Sequence, residues 1–298
     1  MNKHITSLDN VKNIVMIVGL HLIFFLMSWL IIKNTNFILS IPIIIIFSLI
    51  HQKFIGEFLH EGSHYHLNNK RYLNDLISNY LVGLFFFVTV KNYRKKHFTH
   101  HEFSKYFDDE DPETGPLKIY SKKDFWKNIF YDLIGINGLI FLINYTNQDS
   151  KSRSSKYKSK NNLVLDKSLF ILILIQSILL LISFYYNFII YYLIYYFTLG
   201  TLYHFQLRFR ILGQHVFLKP GKKINYNIST SRTIKGGLLE KLFFTSDITA
   251  YHDLHHRYPH LPYRKCRKLF LENTPTENIN IYTTKRSNLI VNFYRSLI

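Results

Sequence analysis

The chain has almost no cysteine. Cys266 stands alone among 298 residues, which excludes an intramolecular disulfide, a zinc knuckle and a cysteine-ligated iron–sulfur centre. Any metal therefore falls to imidazole or carboxylate. Carboxylates are scarce as well: 19 Asp and Glu face 37 Lys and Arg, for a net charge of +18. Yet long tracts lack charge of either sign. Residues 169–203 carry none across 35 positions, and residues 14–32 form a nineteen-residue apolar run broken only by polar His21 and Ser28. High basicity and uncharged tracts conflict in a small soluble protein. They agree in a membrane protein, where apolar residues face lipid and Lys and Arg gather on one side. A nucleic-acid binder is the other usual owner of such a charge, but it would need soluble packing around its basic face, so no nucleic-acid partner is expected. Residues 14–32 also lack a small-residue cleavage site, which makes them a retained span rather than a signal peptide.

Four spans are expected, at about 14–32, 37–55, 169–185 and 187–203. Pro42 falls in the first turns of the second, where a helix tolerates it. As one helix, 169–203 would be roughly 52 Å long, well over the ~30 Å of a hydrocarbon core, so a turn is placed near Tyr185, Tyr186 and Asn187. Residues 81–90 are too short to cross, and 129–143 are interrupted by Asp132, Gly135, Asn137 and Gly138. Both read as interfacial or re-entrant pieces. Hairpins 14–55 and 169–203 then put every Lys and Arg except Lys33 on one side, which the positive-inside rule makes the cytoplasm. The expected fold is an all-α integral membrane protein: four transmembrane helices in two hairpins and a cytoplasmic helical cap. It forms a single domain over 1–298, with a polar linker at 150–162, a C-terminal tail at 271–298 and both termini cytoplasmic.

What the chain has in excess is histidine, 15 in all. His60 and His64 stand four apart; HFTHH supplies His97, His100 and His101; HDLHH supplies His252, His255 and His256. Spacings of three and four put side chains on one helix face, which is what ligation from a helix requires. At this histidine frequency roughly 0.04 matches to H-x-x-H-H arise by chance, and the chain has two. A helix continued from residue 37 carries His60 roughly 34 Å along its axis, just beyond the hydrocarbon edge. Ser246 or Asp247 is expected to cap the third helix, and Pro259 and Pro262 to end its run. Eight imidazoles exceed the needs of one zinc, whereas two ions at four or five nitrogens each would use them. Nitrogen-rich sites suit iron, copper and zinc alike. His4, His21 and His51 read as surface or satisfied core residues, and His66, His204 and His260 are left outside the metal set.

HEGSHYH at 60–66 also contains H-E-x-x-H, the zinc metalloprotease pattern with Glu61 as base. That reading leaves both H-x-x-H-H clusters unexplained, and neither hairpin supplies the aspartate an intramembrane protease would need. A non-enzymatic carrier of zinc or copper would need polar groups at membrane depth, and the spans offer little beyond His21, Gln176 and a few serines. Taken together, H-x-x-x-H, H-x-x-H-H and H-x-x-H-H around two hairpins resemble the membrane fatty acid desaturase and hydroxylase superfamily. FDDEDPE after the second box resembles its acidic segment, and HHRYPHLPY resembles the ending of its third box; the likeness covers roughly residues 10–270.

The resemblance implies a non-haem di-iron centre with O₂ as co-substrate, acting on an unactivated C–H bond with electrons from a ferredoxin- or cytochrome-type donor. It also implies a ninth ligand, His215 in RILGQHVF, where Gln214 replaces the family's usual glutamate. The expected metal ligands are thus His60, His64, His97, His100, His101, His215, His252, His255 and His256. Carboxylates should orient the ring N–H groups of such ligands; Glu61, Asp75, Asp108, Asp109, Asp111 and Asp253 are the candidates. The three-residue gap in the first box resembles acyl-lipid desaturases, so the expected reaction is desaturation of a fatty acyl chain in a membrane lipid. A hydroxylase or ketolase of a lipid or carotenoid is the alternative. Lys91, Arg94, Lys95 and Lys96 are the expected docking surface for an acidic electron carrier.

Overall fold

A computed structural model describes residues 4–103, 113, 119, 121–146, 167–215, 231–234, 236–272 and 286–297. These are helical, with one isolated bridge between His215 and Ser231. Two compact units emerge: Met1–Arg94 with Asp132–His204, and Lys95–Tyr131 with Phe205–Ile298.

The first unit holds the apolar helices. Helix α1 (Ser7–Asn34) starts at a capping box in which Thr6 accepts from the Asp9 N–H and the Asp9 carboxylate accepts from the Thr6 N–H. Helix α2 (Phe37–Ser63) starts at Asn36, whose Oδ1 accepts from Leu39 N at 2.9 Å, and it passes Pro42 without a break. Helix α3 (Arg71–Ile77) leads into a π-helical turn, Ser78–Val82, and a 3₁₀ turn, Gly83–Phe86. Helix α4 (Val90–Phe103) follows, bent by 87° from the stretch before it, with the break at Phe87, whose φ is 55°. A second bent pair, α5 (Lys122–Leu133, mostly in the second unit) and α6 (Ile136–Thr146, in the first), breaks at Gly135, where φ is 84° and a glycine is at ease. Helices α7 (Lys167–Tyr185) and α8 (Ile189–Gly200) close the unit around Asn187, with φ 60°, at the expected turn.

Helices α1, α2 and α7 are long and apolar enough to cross a membrane, and five crossings result if each bent pair counts as one. Their outward side chains are those a bilayer would cover: Ile38, Leu22 and Leu181 are all exposed. Three expected spans thus coincide with helices. The fourth, 187–203, is not one helix. Helix α8 has 12 residues, about 18 Å at about 1.5 Å each. It stops because Thr201 turns away (φ −117°, ψ −87°), its N–H and Oγ1 both bonding the Phe197 carbonyl. Helix α9 (Leu202–Gln214) then begins. Helices α6 and α8 pack backbone to backbone: a Cβ on Gly138 would collide with the Gly200 carbonyl oxygen.

The irregular stretch 78–86 leaves carbonyls that a regular helix would have paired, and lipid cannot satisfy them. His21 Nε2 donates to Leu81 O at 2.7 Å, and Gln176 Nε2 donates to Leu84 O at 2.7 Å. His51 Nε2 lies 2.9 Å from His21 Nδ1, and Tyr195 Oη lies 3.0 Å from His51 Nδ1. His21 and His51 are therefore satisfied core residues, as expected.

The second unit has two small cores. Ile119, Phe125, Ile129, Leu212 and Leu297 form one, with Phe205, Phe209, Phe293 and Tyr294 packed against it. Phe293 and Tyr294 come from α13 (Arg286–Ser296), a helix inside what the sequence reads as a tail. The other joins α11 (His252–Arg257) to α12 (Tyr263–Glu272) through Tyr251, Leu254, Cys266 and Phe270. A short α10 (Leu238–Phe243) precedes them. The linker expected at 150–162 lies outside the described residues.

Candidate metal centre

Seven of the nine expected ligands converge within the second unit. Helix α4 delivers His97, His100 and His101 from its last turns; α11 delivers His252, His255 and His256; His215 follows the end of α9. His100, His215, His252 and His256 bring one ring nitrogen each within 4.8 Å of one another. His97, His101 and His255 form a second group, and the His101 ring lies 4.4 Å from that of His256. His60 and His64 belong to the first unit, on the last turn and the cap of α2, with ring centroids 5.4 Å apart.

The nitrogen contacts test whether the donors suit a cation. A neutral imidazole nitrogen carries one proton or one lone pair, enough for one hydrogen bond. His101 Nε2 lies 3.0 Å from His97 Nε2 and 3.1 Å from His255 Nε2. His252 Nε2 lies 2.9 Å from His215 Nε2 and 3.0 Å from His256 Nε2. Each central nitrogen thus faces two others, which hydrogen bonding alone cannot satisfy. Lone pairs converging on a metal remove the conflict, since ligands at about 2.1 Å stand roughly 3.0–3.4 Å apart. The residues fit a metal. Burial, then repulsion among neighbouring imidazoles, holds His101, His252 and His256 well below their usual 6.5, which keeps them in the neutral form that ligation requires.

Supporting contacts fix these rings. Glu113 Oε1 accepts from His97 Nδ1 at 2.8 Å, and its other oxygen stands 4.0 Å from His100 Nε2. The sequence reading overlooks this carboxylate although it closes the FDDEDPE segment it quotes. Asp108, Asp109 and Asp111 lie outside the described residues. Asp253 is buried and paired with Arg257 at 3.1 Å. Glu61 reaches His60 Nδ1 at 3.4 Å. Among the described residues Asp75 binds no imidazole: it pairs with Arg94, whose guanidinium also donates to the carbonyls of Gly62 and Ser63 at the end of α2.

Two local expectations need correction. Arg94 is turned inward, and Lys96 is buried with its pKa lowered to about 8 by desolvation and by Lys95, so packing takes up two of the four residues of the expected docking cluster, while Lys91 stays exposed. Ser246 and Asp247 do not cap α11. Ser246 Oγ accepts from Ile248 N within a preceding turn, Asp247 pairs with Lys241 at 3.0 Å, and the helix starts after Tyr251 without a side-chain cap. Gln214, the departure from the usual glutamate, is buried and donates Nε2 to Thr249 O at 2.8 Å. That bond needs an N–H, which a carboxylate lacks. It ties the segment before His252 to the residue beside His215, whose own carbonyl accepts from Arg232 at 3.0 Å.

A fatty acid desaturase family model matches residues 35–285, which include all nine histidines and draw on both units. The chain belongs to the fatty acid desaturase family. No curated protein and no solved structure matches it. A fatty acid desaturase is an oxidoreductase of the desaturase and hydroxylase kind, acting on lipid, and the family is known for non-haem di-iron. Membership sets the H-E-x-x-H protease reading aside. In this member of the family Glu61 lies beside the imidazoles of His60 and His66.

Proposed function

We propose that this protein is an O₂-dependent non-haem di-iron oxidoreductase that desaturates the acyl chain of a membrane lipid. The observation that carries the reading is the pair of doubly faced nitrogens, His101 Nε2 and His252 Nε2, in a buried set of imidazoles. In this reading His97, His100, His101, His215, His252, His255 and His256 hold two irons, and the first box adds His60 and His64 on the strength of the family pattern. When bound, the metal supplies O₂ activation and hydrogen abstraction from an unactivated C–H bond. The protein's part is to keep the ligands neutral by burial, to hold His97 through Glu113, and to hold the His252 segment through Gln214. A ferredoxin- or cytochrome-type donor provides the electrons. The two units act as one domain, with four crossings, cytoplasmic termini and a cytoplasmic site. The test is lipid profiling of a host expressing the chain beside a His100→Ala control, with iron measured on the purified protein. New double bonds and about two irons per chain are expected. New hydroxyls or altered pigments would move the reading to hydroxylation or ketolation, and a single zinc would overturn it.

A further inference from the structure

The structure assigns a role to His66, a histidine outside the nine expected ligands. Its neighbourhood lies entirely within the first unit. After α2, the chain reverses at Tyr65, whose φ of 61° is unusual for a residue with a Cβ. The Tyr65 ring is held between the guanidinium of Arg94, 3.8 Å from its centroid, and that of Arg71, at 5.0 Å. The reversal closes with His66 N–H donating to Glu61 O at 3.0 Å. Asn13 of α1 fixes the other side, donating to the carbonyls of His66 and Leu67 at 2.9 and 3.1 Å.

The result is that His66 folds back over its own box. Its ring stacks on His64 with centroids 5.5 Å apart and 25° between planes. Its Nδ1 lies 3.1 Å from Glu61 Oε2, while Glu61 Oε1 lies 3.4 Å from His60 Nδ1. His66 is buried, and its Nε2 has no hydrogen-bond partner among the described residues. With the proton on Nδ1, donated to Glu61, that Nε2 bears only a lone pair, so no donor is stranded. Glu61 thus bonds His66 Nδ1 and stands beside His60 Nδ1 at ion-pair distance, where its charge favours the His60 tautomer with the proton on Nδ1 and the lone pair on Nε2.

We propose that His66 is a positioning residue: it holds the Glu61 carboxylate so that His60 presents Nε2 as a ligand. The inference rests on the di-iron reading and on His60 as a ligand. It is tested on full-length protein in nanodiscs by iron content and by the rate of iron loss to a chelator. His66→Ala should weaken iron retention about 10–100-fold. His66→Asn, whose amide N–H replaces Nδ1–H, should recover most of that loss, which a merely space-filling role would not allow. Glu61→Gln should match His66→Ala, and the double variant should lose little more than either single one. Wild-type retention in His66→Ala, no recovery with Asn, or additive losses would overturn the proposal. His60→Ala separates the levels. If it keeps wild-type iron, the ligand reading itself fails; if it loses iron while His66→Ala does not, only the role of His66 fails.

Discussion

Each unit of this protein buries a set of histidines, and the two sets have opposite arithmetic. In the first unit, His21 and His51 are linked in a closed series. Tyr195 donates to His51, His51 to His21, and His21 to the Leu81 carbonyl, each nitrogen engaged once. In the second unit, His101 Nε2 and His252 Nε2 each face two nitrogens. Between these two sets it is the number of partners per ring nitrogen, rather than burial or abundance, that differs.

The largest test of that contrast is His252→Ala. It should abolish oxidation and reduce bound iron to one per chain or less, read by metal analysis beside lipid profiling; full iron with retained turnover would break the distinction. Stripping the metal from wild-type protein comes next. A group bound at a thousandfold over its Kd adds about 4 kcal/mol, so chelation should lower the unfolding midpoint by at least about 5 °C. Restoring iron should reverse the change.

Gln176→Leu probes the other unit. It leaves the Leu84 carbonyl without its donor and should cost about 1–3 kcal/mol, measured by denaturant unfolding in detergent, with iron content unchanged. An iron loss like that of His252→Ala would show that the first unit's polar interior is not merely structural. The smallest effect is expected from Gln214→Glu. It replaces the donor to Thr249 O by a carboxylate, although Arg210 Nε at 3.2 Å from Gln214 Oε1 softens the change. About 1 kcal/mol of stability should go, with iron loss to a chelator faster by a fewfold.

What the sequence made legible was whatever depends on short spacing. The two H-x-x-H-H boxes are local helical patterns, so α4 and α11 could be read directly, as could the turn at Asn187 and the passive roles of His21 and His51. What it hid depends on where the chain goes between patterns. Glu113 reaches His97 across 16 residues of sequence, a pairing no periodicity encodes. The break at Thr201 is invisible in an uncharged run, because hydropathy is the same on both sides of it. Arg94 and Lys96 look like surface charge in the sequence, yet one caps the end of α2 and the other is buried. The helix α13 lies beyond the family match and shows itself only through Phe293, Tyr294 and Leu297 in a core whose other members are far away in sequence.

The series that ends at Leu81 has a further consequence. A proton hops along hydrogen bonds only if the last group can pass one on, and a backbone carbonyl cannot. The path from Tyr195 through His51 and His21 therefore stops inside the first unit. This row of polar groups thus secures the irregular backbone without offering a proton a way onward past Leu81.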